Sequence, residues 1–279
     1  METKVLLEML MVSPPLLMTP AEVVARLDDP EVLIVDCRFN LTQPDWGRRQ
    51  YHQSHIPGAF YLDLNRDLSG PVSASSGRHP LPDMPTLVAK LAAMGLTPDK
   101  LVIAYDQGQL AYAARLWWLL RYMGHERVAV LAGGWDAYSR AGYPTSHDLP
   151  VRRDGHLTPH LQRQYLATRE DVIAAQQDPT ILLVDAREAR RYRGEWEPID
   201  PVAGHIPGAI NLPWLELLPP QPYADRWREV HHHREVICYC GSGVTACVNL
   251  MTLEWAGFPP GRLYVGGWSE WCRLNQTGR

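Results

Sequence analysis

The chain has 279 residues, 46% of them apolar, and a formal net charge of −4. That length suits two ordinary domains or one large α/β domain, and the apolar content excludes a disordered chain. Charges are spread along the sequence, which argues against a nucleic-acid partner, because a phosphate backbone calls for a clustered basic surface. Five cysteines, at 37, 238, 240, 247 and 272, form an odd set that does not make a disulfide framework, so a reducing, cytoplasmic setting is expected. No C-x-x-C pair occurs, so no metal is expected. The run His231-His232-His233 reads as a solvated turn.

In chain order, the start (1–17) has apolar stretches but carries Glu2 and Glu8 and no clear cleavage site, so it predicts no signal peptide. No stretch reaches the roughly 20 apolar residues of a membrane span. The rest of the chain uses one pattern twice. Val-Leu-Ile-Val-Asp-Cys-Arg at 32–38 returns as Ile-Leu-Leu-Val-Asp-Ala-Arg at 181–187, and His-Ile-Pro-Gly-Ala at 55–59 returns unchanged at 205–209. Val-Ile-Ala-Tyr-Asp at 102–106 matches Val-Ile-Cys-Tyr-Cys at 236–240, and Gly-Gly-Trp at 133–135 matches 266–268. The offsets are 149, 150, 134 and 133, and the drop falls where the first copy holds an extra Pro/Ser/Gly-rich stretch near Ser69 to Met84.

The short apolar runs 32–35, 102–105, 181–184 and 236–239 have the length of buried parallel strands. Asp83 caps a predicted helix over 85–91. Val244, Cys247, Val248, Met251 and Trp255 lie on one face of another, as do Ala113, Leu116, Trp117 and Leu120 in the first copy. Alternating strands and helices predict an α/β fold in which each copy is a mainly parallel sheet with helices on both faces. The expected domains are 14–147 and 165–279, joined by a polar linker over 148–164 that contains Pro150 and Pro159.

Ligands of such sheets bind beyond the carboxyl ends of the strands. Cys240 stands there, followed by Gly241-Ser242-Gly243-Val244-Thr245 and then a helix. Two glycines let the backbone turn its N–H groups inward, and the helix N-terminus adds positive charge. Both favour a thiolate, the reactive form of cysteine. Ser242 and Thr245 add hydroxyls. Cys238 and Cys247 fall on apolar positions and read as packing residues.

The tandem layout, the HIPGA and GGW segments and the loop CGSGVT resemble the rhodanese superfamily over nearly the whole chain. This resemblance implies two rhodanese-like domains, a catalytic second copy with Cys240 as nucleophile and an inactive first copy, in which Asp106 matches Cys240. The loop is similar to that of 3-mercaptopyruvate sulfurtransferases, which implies a sulfur donor of that kind, with thiosulfate as the alternative. Gly241, Gly243, Val244 and Thr245 would face the substrate. Arg191, in Arg-Tyr-Arg-Gly, matches the family's anion-binding arginine. The second arginine usual in mercaptopyruvate enzymes is replaced by Ile199, and Arg193 is the candidate substitute. The resemblance also implies a relay of Ser242 with a histidine and an aspartate of the first domain, matched here to His55 and Asp45. Asp36/Arg38 and Asp185/Arg187, present in both copies, read as structural ion pairs.

The expected reaction moves sulfur from donor to a thiophilic acceptor (cyanide, a thiol or thioredoxin) through a Cys240 persulfide, without cofactor. A persulfide carrier without turnover is the non-enzyme alternative. A cysteine phosphatase would require Cys-x5-Arg, and the arginine position of that motif, counted from Cys240, is Ala246.

Overall fold

The computed structural model describes residues 17–218 and 223–274. The apolar start of the chain, where no signal peptide is expected, lies outside the described residues.

The first copy runs β1 (Leu17–Met18), α1 (Pro20–Val24), β2 (Val32–Asp36), α2 (Trp46–Gln53), β3 (Phe60–Tyr61), α3 (Met84–Ala93), β4 (Leu101–Tyr105), α4 (Ala111–Tyr122), β5 (Val128–Leu131) and α5 (Gly134–Arg140). The second runs β6 (Leu166–Ala167), α6 (Arg169–Ala175), β7 (Ile181–Asp185), α7 (Ala189–Tyr192), β8 (Ile210–Asn211), α8 (Tyr223–Arg226), β9 (Glu235–Tyr239), α9 (Ala246–Trp255), β10 (Arg262–Tyr264) and α10 (Gly267–Leu274). Their five-stranded sheets have the same order, β1-β5-β4-β2-β3 and β6-β10-β9-β7-β8, and every pairing is parallel. Covered on both faces, the central strands read as unbroken apolar runs. The side chain of Asp83 caps α3 by accepting the Thr86 N–H at 3.0 Å.

The repeated motifs interlock at the carboxyl ends of the strands. Arg38 pairs with Asp36 at 2.7 Å and Arg187 with Asp185 at 2.6 Å, all four side chains being buried. Each guanidinium lies over the tryptophan of its own Gly-Gly-Trp segment, at 4.5 Å from Trp135 and 4.9 Å from Trp268. Each also donates to a carbonyl just before the His-Ile-Pro-Gly turn, Ser54 at 2.7 Å and Gly204 at 2.6 Å. In that turn Ile56 and Ile206 donate their N–H to the hydroxyls of Tyr105 and Tyr239, at the ends of β4 and β9. A buried ion pair needs such satisfaction on every side. These residues recur together because each holds the others.

The Gly-Gly-Trp segment in turn fixes the loop after the central strand. Trp268 and Ser269 donate their N–H groups to the carbonyls of Cys240 at 2.8 Å and Gly241 at 2.9 Å, as Trp135 does to Asp106 at 2.8 Å. Gly267 has φ +57, and a Cβ there would stand 2.6 Å from the Cys240 carbonyl oxygen, so only glycine allows this approach.

The apolar spacing in α9 predicts a stripe on one face, but the helix is buried on all sides from Ala246 to Leu253. Besides its own sheet and the segment around Trp214 and Leu217, it packs on α4, because the helices that follow the two equivalent loops meet each other between the domains. A single apolar cluster therefore runs from Leu116, Trp117 and Leu120 of the first domain to Leu250, Met251 and Leu253 of the second. The segment after α5 stays strapped to the first domain, with His160 and Gln162 donating to the carbonyls of Met123 and Tyr122 at 2.9 and 2.8 Å.

A core shared in this way couples the two domains. Calorimetry of the whole chain is expected to show one unfolding transition with equal calorimetric and van't Hoff enthalpies. Two resolved transitions would contradict a continuous core.

Candidate active site

Cys240 directly follows β9 with its side chain buried, at the floor of a cleft of about 230 Å³ between the domains. The second domain contributes the loop 241–245, Arg191 and Ile199, and the first contributes Arg78, His79 and Tyr112. Of the residues singled out in the sequence, Cys240, Gly241, Ser242, Val244, Thr245 and Arg191 come together in this cleft. Gly243 sits beneath it with φ +72, its carbonyl turned to the first domain.

His55 and Asp45 do not come to Ser242. Buried in the first domain, His55 has its Nδ1 2.7 Å from the Tyr51 carbonyl and its Nε2 3.1 Å from that of Asp148, and it stacks on Tyr51 at 4.1 Å. His205 repeats this in the second copy, with Nδ1 2.8 Å from the Tyr192 carbonyl and the ring 3.9 Å from Tyr192. Equivalent positions do equivalent structural work. Asp45 is exposed and pairs with Arg66 at 3.0 Å. Arg193 is exposed as well and pairs with Glu195 at 2.6 Å, outside the cleft lining.

The histidine at Ser242 is His79, whose Nδ1 lies 2.7 Å from Ser242 Oγ. Burial, with the charges of Arg115 and Arg78 adding to it, pushes the His79 imidazole down to about 3. The ring is therefore neutral at ordinary pH and shares one proton with the serine hydroxyl. His79 stands in the stretch that the first copy has and the second lacks. A histidine in the one non-repeating segment was the signal available in the sequence.

The same stretch delivers Arg78, which ion-pairs with Asp200 across the domain boundary. A Cβ added to Gly241 would lie 2.6 Å from Arg78 Nη2 and 3.5 Å from Arg191 Nη2, so both guanidinium groups rest against that glycine. Arg191 is buried and held by Glu197 at 2.8 Å and Asp200 at 3.2 Å. The loop itself is neutral, but the cleft above it carries two cations from different domains. Ile199, about half exposed, occupies the place of the second arginine expected from the resemblance.

The other thiols are different. Burial pushes Cys247 up to about 12 and raises Cys238 as well, so both stay protonated inside the core. Cys272 is buried in a second apolar cluster with Trp268 and Trp271. The first copy shows what charge such a loop favours: Gly108, Leu110, Tyr112 and Ala113 donate their N–H groups to the Asp106 carboxylate at 2.9–3.4 Å. Burial raises Asp106 above the usual carboxylate value, and these inward amides oppose that by favouring its ionised form. In the second copy the matching position is the Cys240 sulfur.

The rhodanese-like domain model matches residues 19–141 and 168–274. A Pseudomonas aeruginosa protein named a probable 3-mercaptopyruvate sulfurtransferase is 45% identical, over 91% of this chain and 94% of its own length. The Escherichia coli 3-mercaptopyruvate sulfurtransferase is 34% identical over 88% of this chain and 91% of its own. Rat thiosulfate sulfurtransferase is 29% identical over 88% and 86%. The crystal structure of SseA from Escherichia coli superposes with a TM-score of 0.79 at 32% identity, covering 91% of this chain and 99% of that one. The chain belongs to the rhodanese family, as a tandem-domain sulfurtransferase. Its small-molecule donors and acceptors of sulfur follow from that class. Among the described residues no helix is long and apolar enough to cross a membrane.

The buried imidazole gives the site a pH signature. Because folding holds His79 near 3 against 6.5 in the open chain, the unfolded state takes up a proton that the folded state refuses as pH falls below 6.5. Stability is thus full above pH 6.5 and declines towards acid, by about 2 kcal/mol at pH 5. His79→Gln should lose less stability than the wild type between pH 7 and pH 5 in urea titrations. Equal losses would show that the imidazole is protonated in the fold.

Proposed function

We propose that the protein is a 3-mercaptopyruvate sulfurtransferase in which Cys240 carries the sulfur. The observation that supports this most is the placement of the Cys240 loop beneath Arg78 and Arg191, two cations that can receive the donor's carboxylate. The carboxylate sits between the guanidinium groups and the donor's sulfur points to Cys240. The thiolate attacks that sulfur, and the sulfur–carbon bond breaks. The electron pair passes to pyruvate enolate, and the proton of the donor thiol ends on its carbon, leaving a Cys240 persulfide anion. The Ser242 hydroxyl, held by His79, donates to the enolate oxygen while the charge develops. A thiophilic acceptor (cyanide, a small thiol or thioredoxin) then attacks the outer sulfur and the Cys240 thiolate leaves.

In this reading the region 14–147 supports the site and 165–279 carries the nucleophile. All five cysteines lack disulfide partners, which fits a reducing compartment, and we place the protein in the cytoplasm.

Thiosulfate is the second reading, favoured by the same two guanidinium groups, since a doubly charged donor gains more from two cations in a low-dielectric cleft. Steady-state rates with each donor and cyanide as acceptor separate them. Mercaptopyruvate is expected to give the higher kcat/KM, and Arg78→Ala and Arg191→Ala each to lower it about 10–100-fold, the cost of one charge-assisted contact. Faster turnover of thiosulfate would establish the second reading. Binding of sulfur without turnover of either donor would make the protein a carrier.

A further inference from the structure

The first turn of α10, in the second domain, touches both halves of the site. Ser269 is buried there. Its N–H donates to the carbonyl of Gly241, in the Cys240 loop, at 2.9 Å. Its hydroxyl donates to the Gly266 carbonyl at 3.1 Å and accepts the N–H of Arg78, from the first domain, at 3.1 Å. With its one proton given to Gly266, the hydroxyl keeps its lone pairs for Arg78. A single residue thus joins the loop beneath the donor to the segment that carries Arg78 and His79.

The first copy separates what serves the fold here from what does not. Asp136 stands at the equivalent place, directly after Gly-Gly-Trp, and its N–H donates to the Gln107 carbonyl at 3.0 Å. The backbone link between this helix and its loop is therefore common to both copies. The side-chain link is not. The Asp136 carboxylate accepts from Gln107 Nε2 at 2.6 Å, within its own domain. Only in the copy that holds the nucleophile does this side chain reach the other domain.

Arg78 has both of its ends tied to the second domain, its guanidinium to Asp200 and its N–H to Ser269. The two residues before it also lie against α10. A Cβ on Gly77 would stand 2.4 Å from the Gly266 carbonyl oxygen, and Arg273 donates to the Ser76 carbonyl at 2.6 Å. Those contacts hold 76–77, and the Ser269 bond continues the hold to the residue that bears the cation. We propose that Ser269 is a positioning residue of the sulfur-transfer site, whose hydroxyl sets the register of Arg78 and His79 over the Cys240 loop. A small displacement of the backbone at 78 is carried to the guanidinium and to the imidazole that meets Ser242, and reaction rates are steep in such displacements. The inference rests on the reading of Arg78 as a partner of the donor's carboxylate and of His79 as the partner of Ser242.

The test compares kcat/KM for 3-mercaptopyruvate, with cyanide as acceptor, in two backgrounds. Ser269→Ala keeps the N–H to Gly241 and removes only the hydroxyl. In the otherwise wild-type chain it is expected to lower kcat/KM about 10-fold, the effect of one lost hydrogen bond that holds a residue of the site. In Arg78→Ala/His79→Ala it is expected to lower kcat/KM by less than about 2-fold further, because nothing remains for the hydroxyl to position. An equal loss in both backgrounds would show that Ser269 supports the loop or the fold in general, and overturns the proposal. An unchanged kcat/KM in Ser269→Ala overturns it as well, leaving Gly77 and Arg273 to hold the segment. If Ser269→Ala does not fold, as read by near-UV circular dichroism, Ser269→Cys takes its place in both backgrounds, being close in size but a weaker acceptor; the same results support or overturn. If Arg78→Ala/His79→Ala turns the donor over at the wild-type rate, the functional reading fails at those two residues and this inference falls with it.

Discussion

The site depends on one constraint: the loop after β9 is built by the second domain and completed by the first. Three successive residues of the loop have a partner across the boundary. Gly241 lies against Arg78, Ser242 bonds to His79, and the Gly243 carbonyl accepts from Arg115. Each contact requires the others, since the loop cannot shift towards one partner without leaving the next. The packing of α4 on α9 and the apolar cluster spanning both domains hold the relative placement that these contacts need.

The duplication explains how two copies of one fold came to divide the labour. Both retain the ion pair, the His-Ile-Pro-Gly turn and the Gly-Gly-Trp clamp, because together these fix the loop. Within the loop the copies part. The first fills its ring of inward N–H groups with the Asp106 carboxyl group, which cannot carry sulfur. The second places a sulfur there, which can be an anion and also a nucleophile. The first copy's added stretch, carrying Arg78 and His79, then reaches over the boundary to the second copy's cysteine.

That history sets what the sequence could disclose. The tandem fold and Cys240 were legible because they rest on local patterns: apolar runs of strand length, a repeated set of four motifs and a glycine-rich turn before a helix. His79, Arg78 and Arg115 were not, because their partners lie 163, 122 and 128 residues away and no period links such positions. The histidine of the repeated turn drew attention instead of His79, although repetition was itself the sign that it serves the fold. Likewise the loop residues themselves are uncharged, and the charge of the cleft arrives on side chains from other elements, Arg191 and Arg78. Arg193 was assigned to the substrate by proximity in sequence to Arg191, but helix positions two apart do not share a face, and the structure turns it to solvent.

The proposed mechanism requires that the Cys240 sulfur, alone among five cysteines, takes up sulfur from a donor. Wild-type protein incubated with 3-mercaptopyruvate, then alkylated, digested and weighed, tests it most directly. One added sulfur atom is expected on the peptide that contains Cys240, lost again on treatment with cyanide. An added sulfur on Cys247, Cys238 or Cys37, or none on any peptide while pyruvate is released, would contradict it.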